Sequence, residues 1–277
     1  MEQSHKEFFQ KINEEIVSLW SITGEDHLNF EVVKMDKRYP MLGRPPLYYD
    51  CELLVKDEQI LFVGLNPSYS ESENNKTLKE LNFSKEIFDF STDHSIIDSL
   101  IKFDRYQRRN YGGYFNPIDE VGQLTSRNTN PEKKYNHIDL FLNRERDSKI
   151  LKEQLLKKED FKVFFESQIK IVFDIIKYLK PKVIVFNSAL ASRIVFGELK
   201  GDETELNYLR EKILTLPDLD NKVGKVENSA HYKFVFKNPS FKSIAVGSGM
   251  LSSGVVDNYS KERLIWYLKW LRHTGII

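Results

Sequence analysis

The chain contains a single cysteine, Cys51, so it can form no internal disulfide. That scarcity suits a reducing compartment. No run of about 18 apolar residues occurs, which argues against a membrane-spanning helix. The opening residues, Met1-Glu2-Gln3-Ser4-His5-Lys6, lack the apolar core of a signal peptide, and a cytoplasmic location is expected. Net charge is missing too, since 41 Lys+Arg balance 41 Asp+Glu. A whole-molecule positive field of the kind that attracts nucleic acid is therefore excluded, and any such contact must come from a local patch. The six histidines are scattered without ligand spacing, so no metal is expected. No Walker or dinucleotide glycine motif occurs, and no cofactor is expected. Internal repeats are absent, and no obligatory protein partner is implied.

What is present is an ordinary globular composition, 40% apolar and 30% charged over 277 residues. Phe8, Phe9, Ile12, Ile16, Leu19 and Trp20 fall at helical spacing over residues 6–20. Gly43-Arg44-Pro45-Pro46 marks a loop. Gln59-Ile60-Leu61-Phe62-Val63-Gly64 reads as a fully buried strand closed by a turn. Residues 68–82, rich in Ser, Glu, Asn and Lys, read as an exposed insertion. Helical spacing resumes over 93–103, and Tyr135 to Phe141 reads as a second strand. A long helical region, 147–180, stops before Pro181. Lys182 to Phe186 is a third strand, and Ser188 caps a helix over 189–199 that Gly201 follows. A helix near 204–213, strands at Tyr232–Phe236 and Ser243–Val246, and a helix at 260–271 complete the pattern.

Apolar strands alternating with helices predict a three-layer α/β/α fold with a mostly parallel central sheet. The expected division is an N-terminal helical extension, 1–57, and one α/β domain, 58–277. In such folds the working loops lie at the carboxyl ends of the strands. Four segments qualify: Gly64–Ser70, Asp139–Arg146, Asn187–Ser188 and Gly247–Gly254.

The first of these, Gly64-Leu65-Asn66-Pro67-Ser68, resembles the first motif of the uracil-DNA glycosylase superfamily. It is most similar to the mismatch-specific and single-strand-selective branches, which also carry Asn before Pro. The order of features is similar over residues 58–271: a strand ending in a polar residue (Asp139), a strand running into Asn187-Ser188-Ala189, and a small-residue loop before the last helix. The resemblance implies a glycosylase-like fold, DNA as partner and hydrolysis of an N-glycosidic bond. It also implies a second motif, usually His-Pro-Ser or Asn-Pro-Ser. Asn238-Pro239-Ser240 has that form but lies between two strand-like runs. The loop Ser248-Gly249-Met250-Leu251-Ser252-Ser253-Gly254 sits better before the terminal helix and is the favoured equivalent. Neither segment carries the histidine that would stabilise a leaving base.

Glycosidic hydrolysis passes through an oxocarbenium-like sugar and needs a held water, a group to orient it and stabilisation of the departing base. Asn66 is expected to hold the water through its amide oxygen, with Leu65 beside it, Pro67 stiffening the turn and Gly64 allowing close approach. The competing reading of Asn66-Pro67 is an ordinary turn. The target base must be flipped into a pocket. Tyr111-Gly112-Gly113-Tyr114-Phe115-Asn116-Pro117 is a candidate aromatic wall, with Phe115 the stacking residue, and Tyr69 is a candidate to close the pocket. Simple core packing competes with each.

Asp139 is the candidate base reader. An ionised carboxylate only accepts hydrogen bonds, so it matches the exocyclic amine of cytosine rather than uracil. A modified cytosine is thus the favoured substrate, an activity similar to glycosylases that attack modified cytosine in phage DNA. Asp139 as general base, or as a backbone cap, are the alternatives. His137 points to the same face by strand alternation and is a candidate to orient Asp139. Asn187 is a further candidate substrate contact. Lys102, Arg105, Arg108 and Arg109, interleaved with Phe103, Tyr106 and Tyr111, form the best patch for phosphates and exposed bases, against a solvated helix face. Ser252 and Ser253 are candidates to present hydroxyls to a phosphate. No lysine suits Schiff-base chemistry, so no lyase activity is expected. Uracil or mismatch repair on the same fold, and a non-catalytic nucleic-acid or nucleotide-binding module, remain alternatives.

Overall fold

The structure, a computed structural model, describes residues 4–21, 44–88, 92–110, 112–125, 135–156, 158–215, 219–225, 232–238, 241–251 and 258–275. In chain order these form α1 (His5–Ser21), β1 (Ile60–Gly64), α2 (Glu71–Leu81), a 3-10 turn (Lys85–Phe88), α3 (His94–Asn110), α4 (Gly112–Thr125) and β2 (Asn136–Asp139). There follow α5 (Ser148–Leu156), α6 (Lys158–Leu179), β3 (Val183–Asn187), α7 (Ala189–Phe196), a 3-10 turn (Gly201–Leu206) and α8 (Asn207–Thr215). The chain ends with β4 (Leu219–Lys225), β5 (Tyr232–Asn238), β6 (Phe241–Ser248) and α9 (Asn258–His273).

Two compact units share these elements. One, the helical unit, comprises residues 1–51, 66–110 and 141–171. The other, the sheet unit, comprises 52–65, 111–140 and 172–277. The expected extension, 1–57, is thus divided after Cys51.

The sheet unit holds all six strands in the order β2-β1-β3-β6-β5-β4. β2, β1, β3 and β6 run parallel, and β5 and β4 continue the sheet antiparallel. β1 and β3 are buried along their whole length, which is why they read as unbroken apolar runs. Pleat alternation sorts their side chains. Ile60, Phe62, Val183, Val185 and Val246 face one side and pack with Ile118 and Val121 of α4 and with Leu264, Ile265, Leu268 and Leu271 of α9. Phe186 faces the other side, where its ring meets Phe196 of α7 edge-on at 5.8 Å. Helices therefore cover both faces, giving the three-layer α/β/α arrangement with a mostly parallel sheet.

Local signals set the helix ends. Ser188 caps α7, its Oγ accepting from Ala191 N at 3.5 Å. The helix stops at Phe196, sooner than the expected 199, because Gly197 turns left-handed with φ 72°. A side chain there would also overlap the Arg210 guanidinium. No helix among the described residues is long and apolar enough to cross a membrane.

The helical unit corrects one expectation. Residues 68–82 are not merely an exposed insertion, because 71–81 form α2. Its polar residues Asn74 and Thr77 are buried, and Gln107 of α3 donates to both. Pairing of polar groups replaces the apolar stripe that periodicity looks for. The helical region expected over 147–180 is described as α5 and α6, on either side of residue 157. In the same unit α1 buries Phe9, Ile12, Ile16, Leu19 and Trp20, and Trp20 meets Phe164 edge-on at 4.8 Å. Its polar anchor is Arg144, which is buried and donates to both carboxylate oxygens of Asp104, at 2.8 and 2.6 Å. It also donates to the carbonyls of Pro45 and Pro46. Replacing one member of such a pair strands the other. Arg144→Met is expected to cost about 3–5 kcal/mol in urea denaturation; a loss below about 1 kcal/mol would show that the pair is not an anchor.

Candidate functional site

In the sheet unit the parallel strands end in polar or small residues on one face. Gly64 pairs with Asp139 across β1 and β2. Asp139 is only 6% exposed. Its carboxylate leans across the strand boundary, so a Cβ built on Gly64 would overlap Asp139 Oδ1 and stand 2.9 Å from Tyr114 Oη. Gly64 is therefore required by close approach rather than by its own dihedrals. It is absent from the residues with positive φ.

Tyr114 and Phe115, in the first turn of α4, extend the cluster. Tyr114 Oη lies 3.3 Å from His137 Nε2. The Tyr114 and Phe115 rings meet edge-on at 4.9 Å, and Phe115 meets the His137 ring at 5.3 Å. His137 pairs with Phe62 in the β1–β2 register, two residues before the Gly64–Asp139 pair, so the two polar side chains of β2 share a face. A carboxylate, a phenol, an imidazole and an aromatic edge are thus gathered at one end of the sheet. Phe115 is half-buried and packs against the core, which makes it less free to stack than expected. Tyr114 reaches Gly64, and its place in the Gly112-Gly113-Tyr114 run was the signal for it. Tyr111 lies outside the described residues.

β3 contributes Asn187, buried at 1% exposure. Its Oδ1 accepts from Leu251 N at 2.9 Å, tying down the chain just after β6. That chain opens the loop Ser248–Gly254, which follows the parallel strand β6. Of Asn238-Pro239-Ser240, Asn238 ends β5 and pairs antiparallel with Phe241 of β6; Pro239 and Ser240 lie outside the described residues. Ser252 and Ser253 lie outside the described residues.

In the helical unit, the segment that opens with Asn66 is stitched to the segment 143–145. Asn66 Nδ2 donates to the carbonyls of Pro67 (3.1 Å), Asn143 (3.1 Å) and Glu145 (2.7 Å). Glu145 N donates to the Pro67 carbonyl at 2.9 Å. Three acceptors around one atom identify that atom as nitrogen and settle the amide orientation. Oδ1 is consequently turned away from them and has no partner among the described residues. Tyr69 is half-buried, with the Arg44 guanidinium over its ring at 3.7 Å and Phe88 edge-on at 5.7 Å. Arg44 also reaches Glu145 at 3.5 Å. Burial lowers its pKa from the usual value, against the pull of Glu145. Sequence reading did not single out Arg44 for a role.

The phosphate patch is divided. Arg105 is committed to Asp50 at 2.6 Å and serves packing within the helical unit. Arg108 and Arg109 lie in the last turn of α3, Arg109 exposed. Among the described residues no three His, Cys, Asp or Glu side chains gather as a metal site.

No protein-family model matches the chain, and no curated protein matches it.

The overlap at Gly64 yields a test. Gly64→Ala is expected to cost about 1–3 kcal/mol, as overpacking does. Asp139→Ala should remove much of that cost, with a coupling of at least about 0.5 kcal/mol in a double-mutant cycle read by urea denaturation. Strict additivity would mean that the carboxylate does not occupy the space over Gly64.

Proposed function

We propose that the protein is a monofunctional DNA glycosylase that flips out a modified pyrimidine and hydrolyses its N-glycosidic bond. The favoured target is a modified cytosine, as in phage DNA, and the favoured role is antiviral defence in the cytoplasm. The observation that carries this reading is the Asp139 carboxylate lying over Gly64 at the carboxyl ends of the parallel strands, beside Tyr114, His137 and Phe115. Ligands of α/β sheets bind at that end. The carboxylate supplies an acceptor for an exocyclic amine, which cytosine has and uracil lacks.

The Gly64-Leu65-Asn66-Pro67 resemblance supplies the reaction type. Water adds to C1′ of the sugar as the bond to the base nitrogen breaks; the electron pair leaves with the base, which takes up the proton that the water gives up. Asn66 is suited to hold that water, because its amide nitrogen is fully engaged and its oxygen is turned away from those bonds. An amide positions but does not act as a strong base, so the reaction relies on orientation and electrostatics. Asp139 reads the base, Gly64, Leu65 and Pro67 shape the turn, and DNA is held by local contacts such as Arg108 and Arg109.

A second reading, a non-catalytic module that binds nucleic acid, is favoured by the same Asn66 bonds, which give that side chain a sufficient structural task. Both readings meet in one experiment. The protein is incubated with single- and double-stranded DNAs carrying cytosine, 5-hydroxymethylcytosine, its glucosylated form or uracil, and released bases are identified by mass spectrometry. Release of a modified cytosine is expected, and Asn66→Ala and Asp139→Ala should each lower it about 100-fold or more. Release of uracil alone would move the assignment to repair, and stoichiometric binding without release from any DNA would support the binding module.

A further inference from the structure

Asn187 holds an unused donor at the same end of the sheet. Val183 and Val185 of β3 belong to the core beneath α4 and α9, so alternation directs Asn187 to that face. Registers extend the row. Gly64 pairs with Asp139, Val63 of β1 pairs with Phe186 one step before Asn187, and Asn187 pairs with Ser248. Asp139, Gly64, Asn187 and Ser248 therefore form one line across the carboxyl ends of four parallel strands. The line has a gap in the middle, because Gly64 has no side chain.

The Asn187 amide has a fixed orientation. Its oxygen accepts from the Leu251 backbone N–H, which leaves Nδ2 as the free end. Nδ2 is buried and has no partner among the described residues. Native interiors rarely keep such a donor unpaired without a reason, and an absent ligand is one. The Asp139 and Asn187 backbones are two strand spacings apart, about 9–10 Å. The lean of the carboxylate over Gly64 takes up part of that distance.

We infer that Asn187 Nδ2 is the donor half of a two-group reader whose acceptor half is Asp139, and that the reader takes a base presenting an amino group beside a ring acceptor. Only the identification of the ligand as a base in DNA rests on the glycosylase reading. Cytosine and its 5-substituted forms offer this edge through N4–H beside N3 and O2. Adenine offers it through N6–H beside N1. Uracil and thymine oppose it twice, because O4 meets a carboxylate and N3–H meets another donor. The 5-position takes no part in the pattern, so substitution there is not read by this pair. One half of the device selects the amino group, and the other requires the adjacent ring nitrogen to be unprotonated.

The test separates recognition from cleavage. The full chain is titrated against single-stranded thymidine oligonucleotides carrying one 2′-fluoro-arabino nucleotide that resists glycosidic cleavage. Its base is 5-hydroxymethylcytosine, adenine or uracil. Binding of at least one amino base should exceed that of uracil about tenfold or more. Asn187→Asp keeps the acceptor for Leu251 N but replaces the donor with an oxygen, and should remove the preference. Asp139→Asn should narrow or invert it. Thermal melts report folding, and Asn187→Ser stands in if Asn187→Asp does not fold. A wild type without preference, or a preference untouched by these substitutions, overturns the inference. Preference without base release from hydrolysable DNA would keep the reader and discard the glycosylase. Base release with a preference that ignores Asn187 would do the reverse.

Discussion

The carboxyl end of the sheet is organised around a side chain that is not there. Gly64 closes the central strand β1, with β2 on one side and β3 on the other. Any other residue would push Asp139 off its neighbour and Tyr114 away from the strand. Because the position is empty, a carboxylate lies over a backbone surface instead of pointing into solvent. Tyr114, His137 and Phe115 are then within reach of the same spot. A buried carboxylate is costly unless its oxygens are paired, so such an arrangement persists only where the surrounding groups answer it. The packing beneath is correspondingly firm: β1 and β3 are buried throughout, and α4, α7 and α9 clamp the sheet from both faces.

Much of this was legible in the chain. Ile60 to Gly64 and Val183 to Phe186 are apolar on both faces of the pleat, as the strands of a doubly covered parallel sheet are. The run of Leu264, Ile265, Leu268 and Leu271 announced the terminal helix and its buried face. Gly64, Asp139 and Asn187 were visible because strand ends are where such folds put polar residues. Other parts were hidden for physical reasons. α2 lacks an apolar stripe and is held by amide and hydroxyl contacts from Gln107, which no periodicity reveals. β4 begins Leu219-Asp220-Asn221-Lys222, a polar edge strand recruited by backbone pairing with β5 rather than by side-chain pattern. Arg105 resembled a phosphate contact because its neighbours are basic and aromatic. It bonds Asp50, 55 residues away in sequence.

Within the helical unit the same economy recurs with amides in place of carboxylates. Asn66 spends its nitrogen on three carbonyls, so one side chain ties the 66–67 segment to 143–145. Arg144 performs a comparable service for the prolines at 45 and 46 while its charge is met by Asp104. These bonds hold irregular backbone in place without regular secondary structure. They also mean that a residue's polar atoms can serve two masters, one half of an amide fixing the chain and the other half remaining available.

The residue after Asn66 adds a chemical consequence. Side-chain amides age chiefly when the next backbone nitrogen attacks the amide carbon and closes a cyclic imide, releasing ammonia. Pro67 has no hydrogen on that nitrogen, so the imide route is shut at this position. Asn66 is therefore protected from deamidation by its own neighbour. Conversion to aspartate would put a carboxylate oxygen against three carbonyls, undoing the stitch and altering whatever the amide oxygen holds. The Asn-Pro pair thus closes the imide route to deamidation as well as shaping its turn.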